Sequence, residues 1–245
     1  MIELETAVFL QNQKTGSTFV EHFLKANSDE KIIAYPAHKA PGMLRKGKFH
    51  FTTVREPLDL YLSLFNYGLD GAGFIWYALG KRGLSHFYDN GFEGFEPWLR
   101  FLFSEEFAPI FKDYAPHAPE MGLCTWRFLR LARLNFNRKK IMIDHVLRSE
   151  HLNEELKALT RGALSGTVRD VDEACAWIDG RSQINRSTRR DQSEDVILSH
   201  EIVAMLLTKE AYLYETYYPE QRKKLKRRAG VLQRWRPVRL SQLVG

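Results

Sequence analysis

Cysteine is scarce in this chain. Cys124 and Cys175 are the only two among 245 residues, too few for a disulfide framework, and no close Cys/His spacing makes a zinc signature. The pair fits a reducing compartment. Long apolar runs are also missing, and none approaches the roughly 18 residues of a membrane-spanning helix. No basic stretch precedes the first apolar run, Ala7-Val8-Phe9-Leu10, which is far too short for a secretory leader. The expectation is therefore a cytoplasmic protein. Internal repeats and low-complexity segments are lacking, which excludes a solenoid or a fibrous array.

Acidic residues disappear from Gln221 to Gly245, where nine basic residues stand. The chain holds 36 basic and 30 acidic residues. Without that stretch the body has 27 basic residues against the same 30 acidic ones, a net charge of −3. The high pI thus belongs to the C-terminal segment and says little about the rest. What remains is ordinary globular material: 44% hydrophobic and 27% charged residues exclude a disordered chain. The length suits one domain with a sizeable core. The expected division is a domain over residues 1–220 and a basic tail over 221–245.

The first sixty residues alternate between strand and helix signals. Residues 6–11 form a short apolar run suited to a buried strand. A polar loop from Asn12 to Gly16 follows, then a helix from Ser17 with Phe19, Val20, Phe23 and Leu24 at helical spacing. Residues 31–35 and 49–54 read as further strands. Pro57 stands where a helix begins, since its missing N–H costs nothing there. This alternation predicts an α/β fold with a largely parallel, P-loop-like sheet flanked by helices. Residues 68–120, rich in glycine and aromatic side chains, read as a helical insertion. A fourth strand is expected over 141–147, a helix over 150–160, an irregular or partly helical stretch over 161–194, and one long amphipathic helix over 195–215.

Lys14-Thr15-Gly16-Ser17-Thr18 lies between the first strand and the first helix. Gly16 lets backbone N–H groups turn toward an anion. The helix N-terminus adds unpaired donors, Ser17 and Thr18 add hydroxyls, and Lys14 adds charge. The bland alternative is an ordinary turn with a Ser/Thr cap. A Walker A loop would need a lysine after its second glycine. Here Lys14 precedes Gly16, and no earlier glycine stands in the loop, which disfavours a nucleotide or small-molecule kinase. A second anion signal follows the third strand: Arg55, with Ser63 eight residues on along the next helix. Ligands of open α/β sheets gather beyond the carboxyl ends of the strands. Two anion sites after alternate strands imply a ligand with two separated phosphate-like groups.

The segment Gln13-Lys14-Thr15-Gly16-Ser17-Thr18 resembles the P-K-T-G-[GS]-[ST] loop of carbohydrate-type sulfotransferases, which use 3′-phosphoadenosine-5′-phosphosulfate (PAPS). Val54-Arg55-Glu56-Pro57 with Ser63 resembles their V-R-[ND]-P-x-x-R-x-x-S block. Residues 145–152 (HVLRSEHL) are similar to their F-V-x-R-x-E-x-L stretch, and Asn185-Arg186-Ser187 to a later N-[KR]-S element. The order agrees across residues 5–190. The resemblance implies that Lys14, Thr15, Gly16, Ser17 and Thr18 hold the 5′-phosphosulfate and that Arg55 and Ser63 bind the 3′-phosphate. It further implies that Arg186 and Ser187 touch the cofactor from a closing loop. Lys14 would also neutralise charge on the bridging oxygen. Two departures stand out: Gln13 replaces the usual proline, and Leu60 replaces the usual second arginine. The Golgi relatives carry a membrane anchor, and this sequence shows none. No metal is implied.

Sulfuryl transfer is a loose in-line displacement, so a protein contributes positioning and charge stabilisation. An acceptor hydroxyl, or an amine, must lose a proton to a general base. His38, after the second strand, is the candidate base, and the family often places a catalytic His or Glu in this stretch. His50 reads as a core histidine, His22 as a residue able to face the site, and His86 and His117 as surface residues. Among the aromatics, most read as core. Trp76, Tyr77 and Trp98 are the candidates for contact with a carbohydrate or other hydroxyl-bearing acceptor. The basic tail is a candidate contact for a polyanionic substrate, an acidic membrane surface or nucleic acid; the bland alternative is a solvated or oligomer-stabilising extension, and no nucleic-acid motif accompanies it. The rivals to a sulfotransferase are the kinase disfavoured above and a non-catalytic polyanion-binding module.

Overall fold

A computed structural model describes residues 1–35, 46–132, 143–181, 197–231 and 238–239, with side chains toward the C-terminus described as far as Arg227. The strands are β1 (Ile2–Glu3), β2 (Ala7–Leu10), β3 (Ile33–Ala34), β4 (Phe49–Val54), β5 (His145–Arg148), β6 (Ile197–Leu198) and β7 (Val238–Arg239). The helices are α1 (Ser17–Asn27), α2 (Pro57–Leu69), α3 (Phe74–Gly80), α4 (Phe95–Leu102) and α5 (Leu123–Leu131). After these come α6 (Leu152–Arg161), α7 (Val171–Asp179), α8 (His200–Lys209), α9 (Ala211–Thr216) and α10 (Pro219–Val231). The chain forms two compact units that interleave in sequence. One comprises residues 1–55 and 127–185, the other residues 56–126 and 186–245.

The first unit carries a five-stranded sheet in the order β3-β1-β2-β4-β5. β2, β4 and β5 run parallel, as the strand–helix alternation predicts. The sheet as a whole is mixed, however, because β1 pairs antiparallel with both β2 and β3. The cause is local: three residues separate β1 from β2, closed by a Leu4 N–H to Ala7 carbonyl bond of 2.8 Å, and so short a link permits only antiparallel pairing. β2 is buried along both faces. Ala7 and Phe9 join the core built with α1, α6 and α7, while Val8 and Leu10 pack with Met1, Tyr35 and Ile143. That double burial explains its uninterrupted apolar run.

α1 buries Phe19, Val20, Phe23 and Leu24, the stripe its sequence spacing predicts. Each such side chain contributes about 1.5–3 kcal/mol of transfer free energy. The helix ends at Ser28, whose N–H returns to the Leu24 carbonyl at 3.0 Å, and Lys25 in its last turn complements the helix dipole. α6 begins after a short 3-10 turn and buries Leu152, Leu156 and Leu159 against the same core.

In the second unit α2 starts at Pro57, with the Glu56 carboxylate accepting from the Asp59 N–H at 2.7 Å as its cap. The aromatic-rich segment builds a core around Phe65, whose ring lies 5.2 Å from Trp98 and 5.3 Å from Phe95. The expected long helix over 195–215 is instead β6, α8 and α9. Ser199 stops extension at one end, because its hydroxyl accepts from the Ile202 N–H and caps α8. Glu210, buried between α8 and α9, interrupts the other. α10 runs across residue 220, the expected boundary between domain and tail. It buries Leu225 and pairs Arg222 with Glu215 at 2.6 Å. No described helix is long and apolar enough to cross a membrane.

Candidate functional site

The loop between β2 and α1 is fixed from inside. Asn12, buried, donates from Nδ2 to the Thr53 carbonyl at 3.2 Å and accepts the Gln13 N–H at 3.0 Å. The Thr15 hydroxyl donates to the Asn12 carbonyl at 2.9 Å and lies 2.5 Å from the Thr53 hydroxyl. Both anchors belong to the loop and to the end of β4, its parallel neighbour. Thr15 is fully buried. Asn12 and Thr53 were not anticipated from sequence. A polar Asn directly after an apolar strand was the available signal.

Two residues of this loop take left-handed backbone conformations. Gly16 has φ 85°, and Lys14 has φ 61°, the one positive φ at a non-glycine residue among those described. Such a conformation costs an ordinary residue about 1–2 kcal/mol. It persists here because the Asn12 and Thr15 bonds over-determine the loop, and strain held in this way clusters at ligand sites. Alternating left-handed residues turn successive N–H groups to one side, the arrangement that cradles anions. Gly16 also lies so close to Leu152 that a Cβ would meet its Cδ2 at 2.6 Å.

α1 then supplies its own donors. The N–H groups of Phe19 and Val20 bond back to the Gly16 carbonyl. Those of Ser17 and Thr18 have no acceptor within the helix. Gly16 offers no side-chain cap, and the first turn contains no acidic residue. Ser17 is buried and Thr18 exposed. The positive end of the dipole is therefore neither capped nor neutralised by the helix itself.

Arg55 follows β4. Its Nη1 donates to the Lys14 carbonyl oxygen at 3.1 Å, which ties the second basic residue to the first loop. Lys14, Gly16 and Arg55 are thus brought to one edge of the first unit, at the carboxyl ends of adjacent parallel strands. The chemistry of this set fits a phosphate or sulfate dianion: cations, oriented N–H groups, and no carboxylate in the helix's first turn.

The other expected residues fall elsewhere. Ser63, half-buried, lies on α2 in the second unit. His38, Arg186 and Ser187 lie outside the described residues. His50 is buried in β4, its backbone N–H bonded to the Asp144 carboxylate at 2.7 Å, as a core histidine should be. His22 and His86 are exposed and His117 half-buried. Leu60, at the position of the family's second arginine, is buried in α2. Trp98 is core and donates its indole N–H to the Tyr88 hydroxyl at 2.8 Å. Trp76 is half-buried, and Tyr77 is exposed with the Lys81 ammonium 4.3 Å from its ring centre.

A buried carboxylate in the second unit had escaped the sequence reading. Glu210 accepts from the Tyr61 hydroxyl at 2.5 Å, from the Cys124 and Thr125 N–H groups at 3.2 and 2.8 Å, and from the Thr125 hydroxyl at 2.6 Å. It therefore caps the N-terminus of α5 from a distant part of the chain. Burial pushes its pKa above the ordinary carboxylate range, against the opposing pull of those four donors. Burial likewise holds Tyr61 well above the ordinary phenol range. Gly122 is required beside it, since a Cβ there would stand 2.0 Å from Glu210 Oε1. This cluster satisfies a helix end and is structural.

Comparison of the chain with protein-family models, with curated proteins and with solved structures gives no match.

Proposed function

We propose that this chain is a PAPS-dependent sulfotransferase acting on a hydroxyl or amine of a carbohydrate or related acceptor. One observation carries the reading. A strained lysine-bearing loop after β2 and the arginine after the parallel neighbour β4 are joined by the Arg55 to Lys14 hydrogen bond. The motif resemblance of both segments, in register at two adjacent strand ends, supports the same ligand. When bound, PAPS supplies the sulfuryl group and its leaving phosphate.

This chain's own residues have separable tasks. The N–H groups of residues 15–18 orient the 5′ end, and the helix dipole favours its negative charge. The Lys14 ammonium stabilises charge on the departing oxygen, the kind of preorganised electrostatic contribution that dominates group transfer. Arg55 takes the 3′-phosphate with a fork of donors. His38 accepts the acceptor's proton, a role worth about 10²–10⁴ in rate.

Transfer of radiolabelled sulfate from PAPS to a panel of glycans, lipids and phenols tests the proposal. Label should appear on at least one acceptor without added divalent cation. Labelling of none, together with magnesium-dependent turnover of ATP, would replace this reading with a kinase.

A further inference from the structure

Two tyrosines of the second unit leave their rings in solvent. Tyr77 on α3 is 58% exposed and Tyr67 on α2 is 38% exposed, and among the described residues of this unit no other large apolar side chain is so open. Gly73, Tyr77 and Lys81 succeed one another at one-turn spacing along α3. The Tyr77 N–H bonds the Gly73 carbonyl at 3.0 Å, and the Lys81 N–H bonds the Tyr77 carbonyl at 3.2 Å, so the three positions share one side of the helix. The Tyr67 ring fills the place of a side chain at Gly73, where a Cβ would meet its Cδ1 at 2.8 Å. The Lys81 ammonium lies 4.3 Å from the centre of the Tyr77 ring. Ring, ring and ammonium therefore form one row.

A lysine at this end of α3 complements the helix dipole, and its seat over a ring adds a small cation–π contribution. Neither calls for a second open ring beside the first. Among the described residues no carboxylate pairs with Lys81, whose partner is the Tyr77 ring. Its charge is therefore not cancelled. The row is too small for a protein partner, because a stable interface takes about 800 Å² from each side and no further open apolar side chain of this unit extends it. One helical turn is about 5.4 Å, close to the length of a single sugar ring. A tyrosine offers an apolar face to the C–H side of a pyranose and a hydroxyl to its oxygens. An ammonium beside that face favours a sugar carrying a carboxylate.

We propose that Tyr67, Tyr77 and Lys81 form a docking site for an acidic glycan, a pyranoside chain bearing carboxylates. As a seat for the acceptor this site rests on the sulfotransferase reading, whereas glycan binding itself does not, and the test separates the two. The full chain and its Y77A, Y77F and K81Q variants are titrated by surface plasmon resonance, without PAPS, on hyaluronan and chondroitin tetrasaccharides and on their carboxyl-reduced counterparts. Each is also titrated by calorimetry with 3′-phosphoadenosine 5′-phosphate (PAP), the product PAPS leaves. Wild type should bind at least one acidic tetrasaccharide and prefer it to its reduced form by about 2–5-fold, the scale of an exposed ion pair. Y77A should weaken both forms by about 3–10-fold, the scale of a lost ring contact, and Y77F, which keeps the ring, should lie between. K81Q should abolish the preference and leave the reduced form unchanged. PAP affinity should stay within about twofold in all three, since they lie outside the nucleotide loop. Binding to none of the tetrasaccharides, equal binding of wild type to both forms, or a Y77A curve identical to wild type would each overturn the site while leaving PAP binding and the enzyme reading standing. Glycan binding without PAP binding would remove the enzyme reading and keep the site.

Discussion

The Arg55 guanidinium donates from Nη1 to the backbone carbonyl of Lys14 at 3.1 Å. That bond ties the residue after β4 to the loop after β2. The lysine it touches occupies a left-handed conformation that its own chemistry disfavours. Together these residues build a positive edge across two strand ends, and the expected effects of altering them differ.

Lys14→Ala should abolish transfer while changing PAP affinity by less than about tenfold, because Lys14 acts on charge that develops during the reaction. Arg55→Ala should do the reverse. It should weaken PAP by about 10–100-fold, the loss of a charge-assisted contact, and leave adenosine 5′-phosphosulfate nearly unchanged. Paired turnover and calorimetric measurements on the two variants check the split, and identical profiles would contradict it.

Gly16→Ala should destabilise the fold by about 1–3 kcal/mol. The alanine must keep a φ of 85° and displace Leu152. Urea unfolding reads the loss directly. A change below about 0.5 kcal/mol, the range of an ordinary surface substitution, would show that the loop relaxes freely and is not held.

Glu210 should give stability a distinctive pH dependence. Burial raises its pKa in the folded state above the 4.5 of an unperturbed carboxyl. The folded protein then binds the proton more tightly than the unfolded chain. The resulting stabilisation is full below the unfolded value and is lost as pH rises through the folded one. Glu210→Gln should be less stable than wild type, since its amide turns a donor toward the N–H groups of α5. It should lack this part of the slope. Thermal melts of both proteins from about pH 4 to about pH 8 compare the two slopes, and parallel curves would refute the assignment.

His38→Ala should lower turnover by about 10²–10⁴ and leave PAP affinity intact. Turnover within about threefold of wild type would move the base elsewhere.

The parts legible in the sequence were those with a local cause. The four buried apolar residues of α1 follow its helical period, Pro57 marks the start of α2, and the apolar run of β2 is buried on both faces. β1 was missed because two residues, Ile2 and Glu3, carry no period, and their strand exists only through its neighbours. The break at Glu210 was missed for the opposite reason. Glu210 sits on the same stripe as Leu206, Leu207, Leu213 and Tyr214, so the periodicity continued through it. A carboxylate on an apolar stripe was the sign of a buried partner set. In the site, Lys14, Gly16 and Arg55 were readable from motif order. The inward grip of Asn12 and Thr15 on Thr53, and the bond between Arg55 and Lys14, depend on the pairing of β2 with β4, which periodicity does not specify.

Calorimetric titration of the purified chain with PAP, with and without magnesium, tests the central claim most directly. The account predicts saturable binding that is independent of the metal and is weakened when the 3′-phosphate is absent. Absence of binding in both conditions, or equal affinity for the nucleotide lacking the 3′-phosphate, would contradict it.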